Sequence, residues 1–199
     1  MKDIRFVSPT SVDDAVAELS KANGNARVLA GGTDLLVQLR SGRLRPELVV
    51  DVKRIPELMA ISNEGGAFKV GAAVAGAQLD EHESFGKTWP GVMEAFDLIG
   101  STQIQGRASM GGNLCNGSPA ADSVPAMIAA GAVCTIAGPN GRRDANVEDI
   151  VTGPGKTSLK AGELIVSFQF PKRNVSSGDA YLRFIPRTEM DIAVVGAGV

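Results

Sequence analysis

A strand-like run, Arg27-Val28-Leu29-Ala30, ends in two consecutive glycines and passes at once into the helical pattern Leu35–Arg40. This junction, Gly31-Gly32-Thr33-Asp34, constrains the fold most, because a strand turning straight into a helix is half of an alternating α/β unit. It also carries chemistry. The glycines have no Cβ to block approach, and the first N–H groups of a helix, here with Thr33 as its cap, lack backbone partners, so the junction suits an anion. The same residues also suit a plain tight turn.

The flanking segments complete the alternation. Ile4-Arg5-Phe6-Val7 reads as a short strand. Ser11 is a good N-cap for a helix over Val12–Lys21, with Asp13 and Asp14 in its positively polarised first turn. Val12, Ala15, Val16 and Leu19 form one apolar face at helical spacing, and Asn23-Gly24 ends the helix. Leu48-Val49-Val50-Asp51 reads, like Arg27–Ala30, as a buried strand. Residues 1–55 are thus expected to form a β-α-β-α-β lobe. Residues 56–175 read as a second lobe of α+β type, with a boundary near Arg54-Ile55-Pro56. Its signals are a hairpin (Leu58–Ile61, Ala67–Val70), helices at Gln78–Glu83, Val92–Leu98 and Val124–Ala130, a second hairpin (Val133–Ala137, Arg142–Ala145) and a strand at Leu164–Phe170. Residues 176–199 read as the end of a polar linker, Lys172–Asp179, and the start of another domain. The closing apolar run within Met190–Val199 looks like a core strand, and the sequence stops inside it, which predicts a longer natural chain because domain ends normally lie at the surface.

A second glycine-rich segment runs from Ala108 to Asp122: Ala-Ser-Met-Gly-Gly-Asn-Leu-Cys-Asn-Gly-Ser-Pro-Ala-Ala-Asp. It has little hydrophobic periodicity and is expected to be a long irregular loop, a kind that is usually functional. Ser109, Asn113 and Ser118 can donate to phosphates, and Asp122 can accept from hydroxyl or ring N–H groups. A solvated Ω-loop is the alternative, with Asp122 then a cap for the next helix. Gly153-Pro154-Gly155-Lys156-Thr157 imitates a phosphate loop, but Ile150 stands where the motif needs its first glycine, and Pro154 removes an N–H.

Composition removes several functions. Twenty Lys+Arg against 22 Asp+Glu give a net charge of −2, without the basic surplus of a general nucleic-acid binder. Two cysteines and one histidine are too few for a zinc or iron–sulfur site within the chain. No apolar run reaches the ~20 residues of a membrane span, and the N-terminus has no apolar signal core. A cytoplasmic setting with Cys115 and Cys134 as free thiols is expected, a disulfide between them being the alternative. His82, in Asp80-Glu81-His82-Glu83, reads as an exposed helical residue and not a catalyst.

The ordered set Ala30-Gly31-Gly32-Thr33-Asp34-Leu35, Gly111-Gly112-Asn113 and Ser118-Pro119-Ala120-Ala121-Asp122 resembles the FAD-binding medium subunits of molybdenum hydroxylases, such as aerobic carbon monoxide dehydrogenase and bacterial xanthine dehydrogenases. Phe6-Val7-Ser8-Pro9-Thr10-Ser11, Lys156-Thr157, Gly162-Glu163-Leu164-Ile165, Arg187 and Asp191-Ile192-Ala193-Val194-Val195 fit as well. The resemblance implies a two-lobed α+β domain of the vanillyl-alcohol-oxidase type, with non-covalent FAD between the lobes and a further α/β domain beginning near Tyr181. It implies that Arg27, Val28, Leu29, Ala30, Gly31, Gly32, Thr33 and Asp34, together with Ser109, Met110, Gly111, Gly112 and Asn113, wrap the pyrophosphate. Asp122 would reach the ribityl or ring region, Ile99 and Ile165 would line the cofactor, and Arg183 falls where the family often has lysine. Otherwise the isoleucines are core residues and Arg183 a solvated charge. No catalytic or metal-binding residue is expected in this chain. The implied function is electron transfer from [2Fe–2S] clusters on a small subunit, through FAD, to an external acceptor. The substrate would be oxidised on a molybdopterin-binding large subunit, the whole being a dimer of heterotrimers, and a carbon-monoxide-dehydrogenase-like medium chain is the specific expectation. A stand-alone flavin oxidase and a flavin-free scaffold are the alternatives.

Overall fold

The computed structural model describes residues 4–188 and 190–199; residues 1–3, the polar lead-in to the first strand, lie outside the described residues. The first lobe consists of β1 (Arg5–Val7), α1 (Val12–Lys21), β2 (Ala26–Leu29), α2 (Leu35–Arg40) and β3 (Leu48–Asp51). Its strands are parallel in the order β1-β3-β2, so their C-terminal ends lie together. Those ends lead into Ser8, into Ala30-Gly31 and into Val52-Lys53. Only the central strand is buried on both faces, as continuous apolar strands are in parallel sheets. β2, expected to be buried, is an edge strand with Arg27 and Val28 exposed.

α1 has the expected bounds. The Ser11 hydroxyl accepts the Asp14 N–H at 3.1 Å, and Val12, Ala15, Val16 and Leu19 are all buried. That face serves two sheets. It packs with Leu48 and Val50 of β3, and also with Ala73, Ala137, Leu164 and Val166 of the second lobe.

The second lobe begins with α3 (Pro56–Met59), which takes Leu58 out of the expected first hairpin; the strands there are β4 (Ile61–Glu64) and β5 (Ala67–Gly71). Short helices follow: α4 (Gly76–Asp80), α5 (Phe85–Thr88), α6 (Pro90–Asp97), α7 (Thr102–Gln105), α8 (Met110–Asn116) and α9 (Ser123–Ala129). The hairpin of β6 (Val133–Gly138) and β7 (Gly141–Asn146), a small hairpin of β8 (Val151–Gly153) and β9 (Lys156–Thr157), and β10 (Leu164–Phe170) complete the lobe. The main sheet is antiparallel in the order β4-β5-β10-β6-β7.

Both faces of that sheet are covered. Ile165, Phe168 and Phe170 face the larger core, with Phe68, Phe85, Phe96, Met110 and Leu114, whereas Leu164 and Val166 face the α1 side. Strict alternation would separate Ile165 from Phe168. The register shift between Ile165 and Ser167 keeps them on one face.

His82 lies in the turn after α4, not on a helix: its ring meets Phe68 edge-on at 6.0 Å and its Nδ1 accepts the Phe85 N–H at 3.3 Å. The closing apolar run is not a core strand. β11 (Tyr181–Phe184) pairs with β12 (Val195–Gly198), while Ile192, Val194 and Val195 are exposed. The ribbon rests on α9 through Gly198, where a Cβ would stand 2.5 Å from the Pro125 carbonyl oxygen. Lys172–Asp179 has no regular structure, as expected, but it is tied down. The Arg173 guanidinium lies 5.1 Å from the centre of the Trp89 ring and pairs with Asp179, whose other oxygen accepts the Val92 N–H. Both cysteines are free, Cys134 buried and Cys115 exposed.

Glu57 ties α3 to two strands. Arg142 of β7 forks onto its carboxylate at 2.6 and 2.7 Å, and Lys69 of β5 joins at 3.2 Å. The Arg142 guanidinium, helped by Lys69, lowers the Glu57 carboxyl from 4.5 to about 2. A folded-state value below the unfolded one gives stability that is present above the unfolded value and is lost as pH falls through the folded one. Because the pair is partly solvated, Glu57→Gln should cost about 1 kcal/mol near neutrality. Urea unfolding should show that gap closing between pH 4.5 and about 2.

Candidate cofactor site

The two glycine segments meet. A Cβ on Gly31 would stand 1.9 Å from the Arg107 carbonyl oxygen and 3.1 Å from the Ala108 nitrogen, so the end of β2 presses its backbone on the lead-in to α8. Gly32 follows in the left-handed region at φ +83°, where side chains are strained. Among the described residues, the N–H groups of Gly31, Gly32, Thr33 and Asp34 have no protein acceptor, although the Gly32 carbonyl accepts the Leu36 N–H at 3.0 Å. Asp34, not Thr33, holds the cap position of α2, and its side chain makes no capping bond. Partial burial holds the Asp34 carboxyl above the ordinary aspartate value.

Beside this loop, Lys53 extends its ammonium to the Ala30 carbonyl at 3.0 Å and to the Asp51 carboxylate at 2.6 Å. Sequence reasoning passed over Lys53. The signal was available in the parallel topology, which sets the ends of β2 and β3 side by side.

The second segment is not the expected irregular loop. Its middle is helical: the Ser109 hydroxyl caps α8 by accepting the Gly112 N–H at 3.2 Å, and Met110 and Leu114 turn into the larger core. The small residues that hide this helix from propensity are there for packing. The Gly111 N–H donates to the Ala72 carbonyl at 3.1 Å, and a Cβ on Gly111 would stand 2.6 Å from that oxygen. Gly112, by contrast, is exposed. Asn113 accepts from the Ser123 hydroxyl at 2.7 Å, and Asn116 accepts from Gln38 of α2 at 3.2 Å, a bond that joins the segments a second time. The false phosphate loop at residues 153–157 is the turn and strands of β8 and β9, and its Gly155 N–H donates to the Gly117 carbonyl.

Asp122 forms a third cluster. It accepts from the Tyr181 hydroxyl at 2.8 Å and from Arg183 at 3.2 Å, while Arg183 also donates to the Leu98 carbonyl at 2.9 Å. The Arg183 and Asp122 side chains are 8% and 9% exposed, so Arg183 is not a solvated charge. Its Nε is buried and has no partner among the described residues. Asp122 occupies the cap position of α9 but makes no side-chain capping bond. Burial raises the Tyr181 phenol above its ordinary value, and Asp122 pushes it the same way. Ile99, next to Leu98, is half-buried at the margin of the larger core, and Ile165 lies inside that core at 5% exposure. The structure thus brings Ala30–Asp34 together with Arg107–Asn113. It gathers Asp122 and Arg183 with the Leu98 carbonyl beside Ile99, and it leaves Arg27 on the outer edge of β2.

The sequence matches, over residues 2–173, the family described as the FAD binding domain in molybdopterin dehydrogenase. It is similar to the FAD-binding subunit of xanthine dehydrogenase from Escherichia coli O157:H7, 36% identical over 178 residues that make up 87% of this chain and 60% of that one. It is also similar to the carbon monoxide dehydrogenase medium chain of Hydrogenophaga pseudoflava, 33% identical over 98% of this chain and 67% of that one. Among solved structures, a form of carbon monoxide dehydrogenase from Hydrogenophaga pseudoflava superposes with a TM-score of 0.92 at 32% identity, covering 97% of this chain and 67% of that one. The chain therefore spans about three-fifths of the length of the xanthine dehydrogenase subunit. The two-lobed α+β fold expected from the sequence is the fold these matches share. Among the described residues, no helix is long and apolar enough to cross a membrane.

Removing Asp122 would leave the Arg183 charge buried without its counter-ion. Asp122→Ala should therefore cost about 3–5 kcal/mol of stability, read by urea unfolding of the apoprotein. A loss below about 1 kcal/mol, the scale of an exposed pair, would mean that the cluster is held from elsewhere.

Proposed function

The chain belongs to the family of FAD-binding domains in molybdopterin dehydrogenases, and from that premise we propose that it holds FAD at the junction of its two glycine segments and relays electrons for a molybdenum hydroxylase. The observation that carries this reading is the run of N–H groups from Gly31 to Asp34 that have no acceptor among the described residues, joined to the second segment where Gly31 meets the Arg107 carbonyl.

The donor set fits a pyrophosphate. Uncommitted backbone N–H groups on a loop with two glycines offer donors without side-chain bulk, and Gly112 leaves α8 open from its outer side. Val28, Leu29 and Ala30 deliver the first segment from the sheet, and Ser109, Met110, Gly111, Gly112 and Asn113 supply the second. Arg183, held by Asp122, places a fixed positive charge in a largely water-free position. Ile99 and Ile165, on the margin and in the interior of the larger core, are the apolar residues proposed to line the cofactor. When bound, FAD supplies one- and two-electron redox chemistry. The chain's own part is to bind, orient and set the local charge, and none of its residues needs to act on substrate.

The proposed partners are a [2Fe–2S] small subunit and a molybdopterin-binding large subunit in a dimer of heterotrimers. A carbon-monoxide-dehydrogenase-type complex is the specific choice. A cytoplasmic setting agrees with two free cysteines. The proposed division is residues 1–55 and 56–175 as the two FAD-binding lobes, with residues 176–199 opening a further domain. The isolated chain should be inert toward carbon monoxide, purines and aromatic acids, yet be reduced by dithionite when loaded with flavin.

Gly112 offers a direct test. It is exposed on α8, and the nearest atom to an added Cβ is the Ser109 oxygen at 3.1 Å, so the fold can accept a side chain there by a small shift. Gly112→Leu should purify with a thermal midpoint near that of the parent chain but without its flavin absorbance. Full flavin content in that variant would remove the second segment from the site.

A further inference from the structure

Lys53 is committed to a backbone group instead of to solvent. Its ammonium is shared between the Asp51 carboxylate at 2.6 Å and the Ala30 carbonyl oxygen at 3.0 Å, and Asp51 also accepts the Lys53 N–H at 3.1 Å. The two side chains are 26% and 17% exposed, so the contact is partly shielded from water. The carbonyl that Lys53 holds is the other half of the peptide unit whose N–H belongs to Gly31. A trans peptide is planar, with its C=O and N–H pointing in opposite directions, and the described chain has no cis peptide bond. Fixing the Ala30 oxygen toward Lys53 therefore turns the Gly31 N–H to the opposite side. That N–H is the first of the four without a protein acceptor. Glycine has the widest backbone freedom of any residue, so the Lys53 bond adds a restraint on the orientation of this peptide plane to the contact that Gly31 makes with the Arg107 backbone.

We infer that Lys53 is a positioning residue for the cofactor cradle: braced by Asp51, it locks the Ala30–Gly31 peptide so that the Gly31 N–H faces an anionic ligand. The inference rests on the FAD reading above and deepens it. Lys53 acts through the peptide, and the contact with phosphate is made by the backbone.

The test is FAD titration of apoprotein from the parent chain, Lys53→Met and Lys53→Arg, with phosphorus NMR of the bound pyrophosphate at saturation and urea unfolding of each apoprotein. Losing one charge-assisted hydrogen bond should weaken FAD binding by about tenfold in Lys53→Met. Its phosphorus resonances should shift from those of the parent complex, and Lys53→Arg, which keeps a charged donor, should recover most of the affinity. Should Lys53→Met fail to fold, Asp51→Asn takes its place, because it removes the brace and should move affinity and resonances in the same direction. Unchanged affinity, or weaker binding with parental phosphorus resonances, would overturn the inference and leave Lys53 a structural ion pair. A parent chain that takes up no FAD would overturn the FAD reading itself, and this inference with it.

Discussion

The contact on which the site depends is a glycine pressed against a carbonyl. At Gly31 the end of a parallel strand approaches the backbone before α8 so closely that a single added carbon would overlap the Arg107 oxygen. The approach brings together two segments separated by more than seventy positions in sequence, and the Gln38–Asn116 hydrogen bond repeats the connection one helix further on. Neither segment alone is distinctive. Joined, they set a row of N–H groups that have no acceptor among the described residues beside a capped, glycine-bearing helix.

Holding two loops at that distance requires lobes that do not drift. The apolar face of α1 supplies the restraint, because it fills the space between the three-stranded and five-stranded sheets and belongs to one core with both. The Glu57–Arg142 fork adds a partly solvated tie between α3 and the edge strand β7. The Asp122–Tyr181–Arg183 cluster does the same for the C-terminal ribbon, fixing it to the start of α9 and to the Leu98 carbonyl. The ribbon therefore reaches the neighbourhood of the proposed cofactor through a buried charge pair, while Leu182, Phe184, Ile192 and Val194 remain exposed on it.

What could be read from the sequence follows from the range of the forces involved. α1, α2, β3 and β10 have the expected bounds because caps, apolar periodicity and proline stops act within a few residues. α8 was hidden because Gly111 and Gly112 argue against a helix locally, whereas the capping hydroxyl of Ser109 and the burial of Met110 and Leu114 decide for it. The edge position of β2 depends on strand order, which a run such as Arg27–Ala30 does not encode. Lys53 is legible only through the parallel pairing of β2 and β3, since its partner carbonyl, Ala30, lies just past the end of β2. Asp122 drew notice as an acceptor, but its partners, Tyr181 and Arg183, stand some sixty positions away and come into view only with the fold.

Both glycine segments should contact one cofactor. Amide hydrogen exchange of the chain with and without FAD tests it most directly. FAD should slow exchange at Gly31–Asp34 and at Ser109–Asn113 together, with the same dependence on FAD concentration. Protection confined to one segment, or absent from both while FAD is bound, would contradict it.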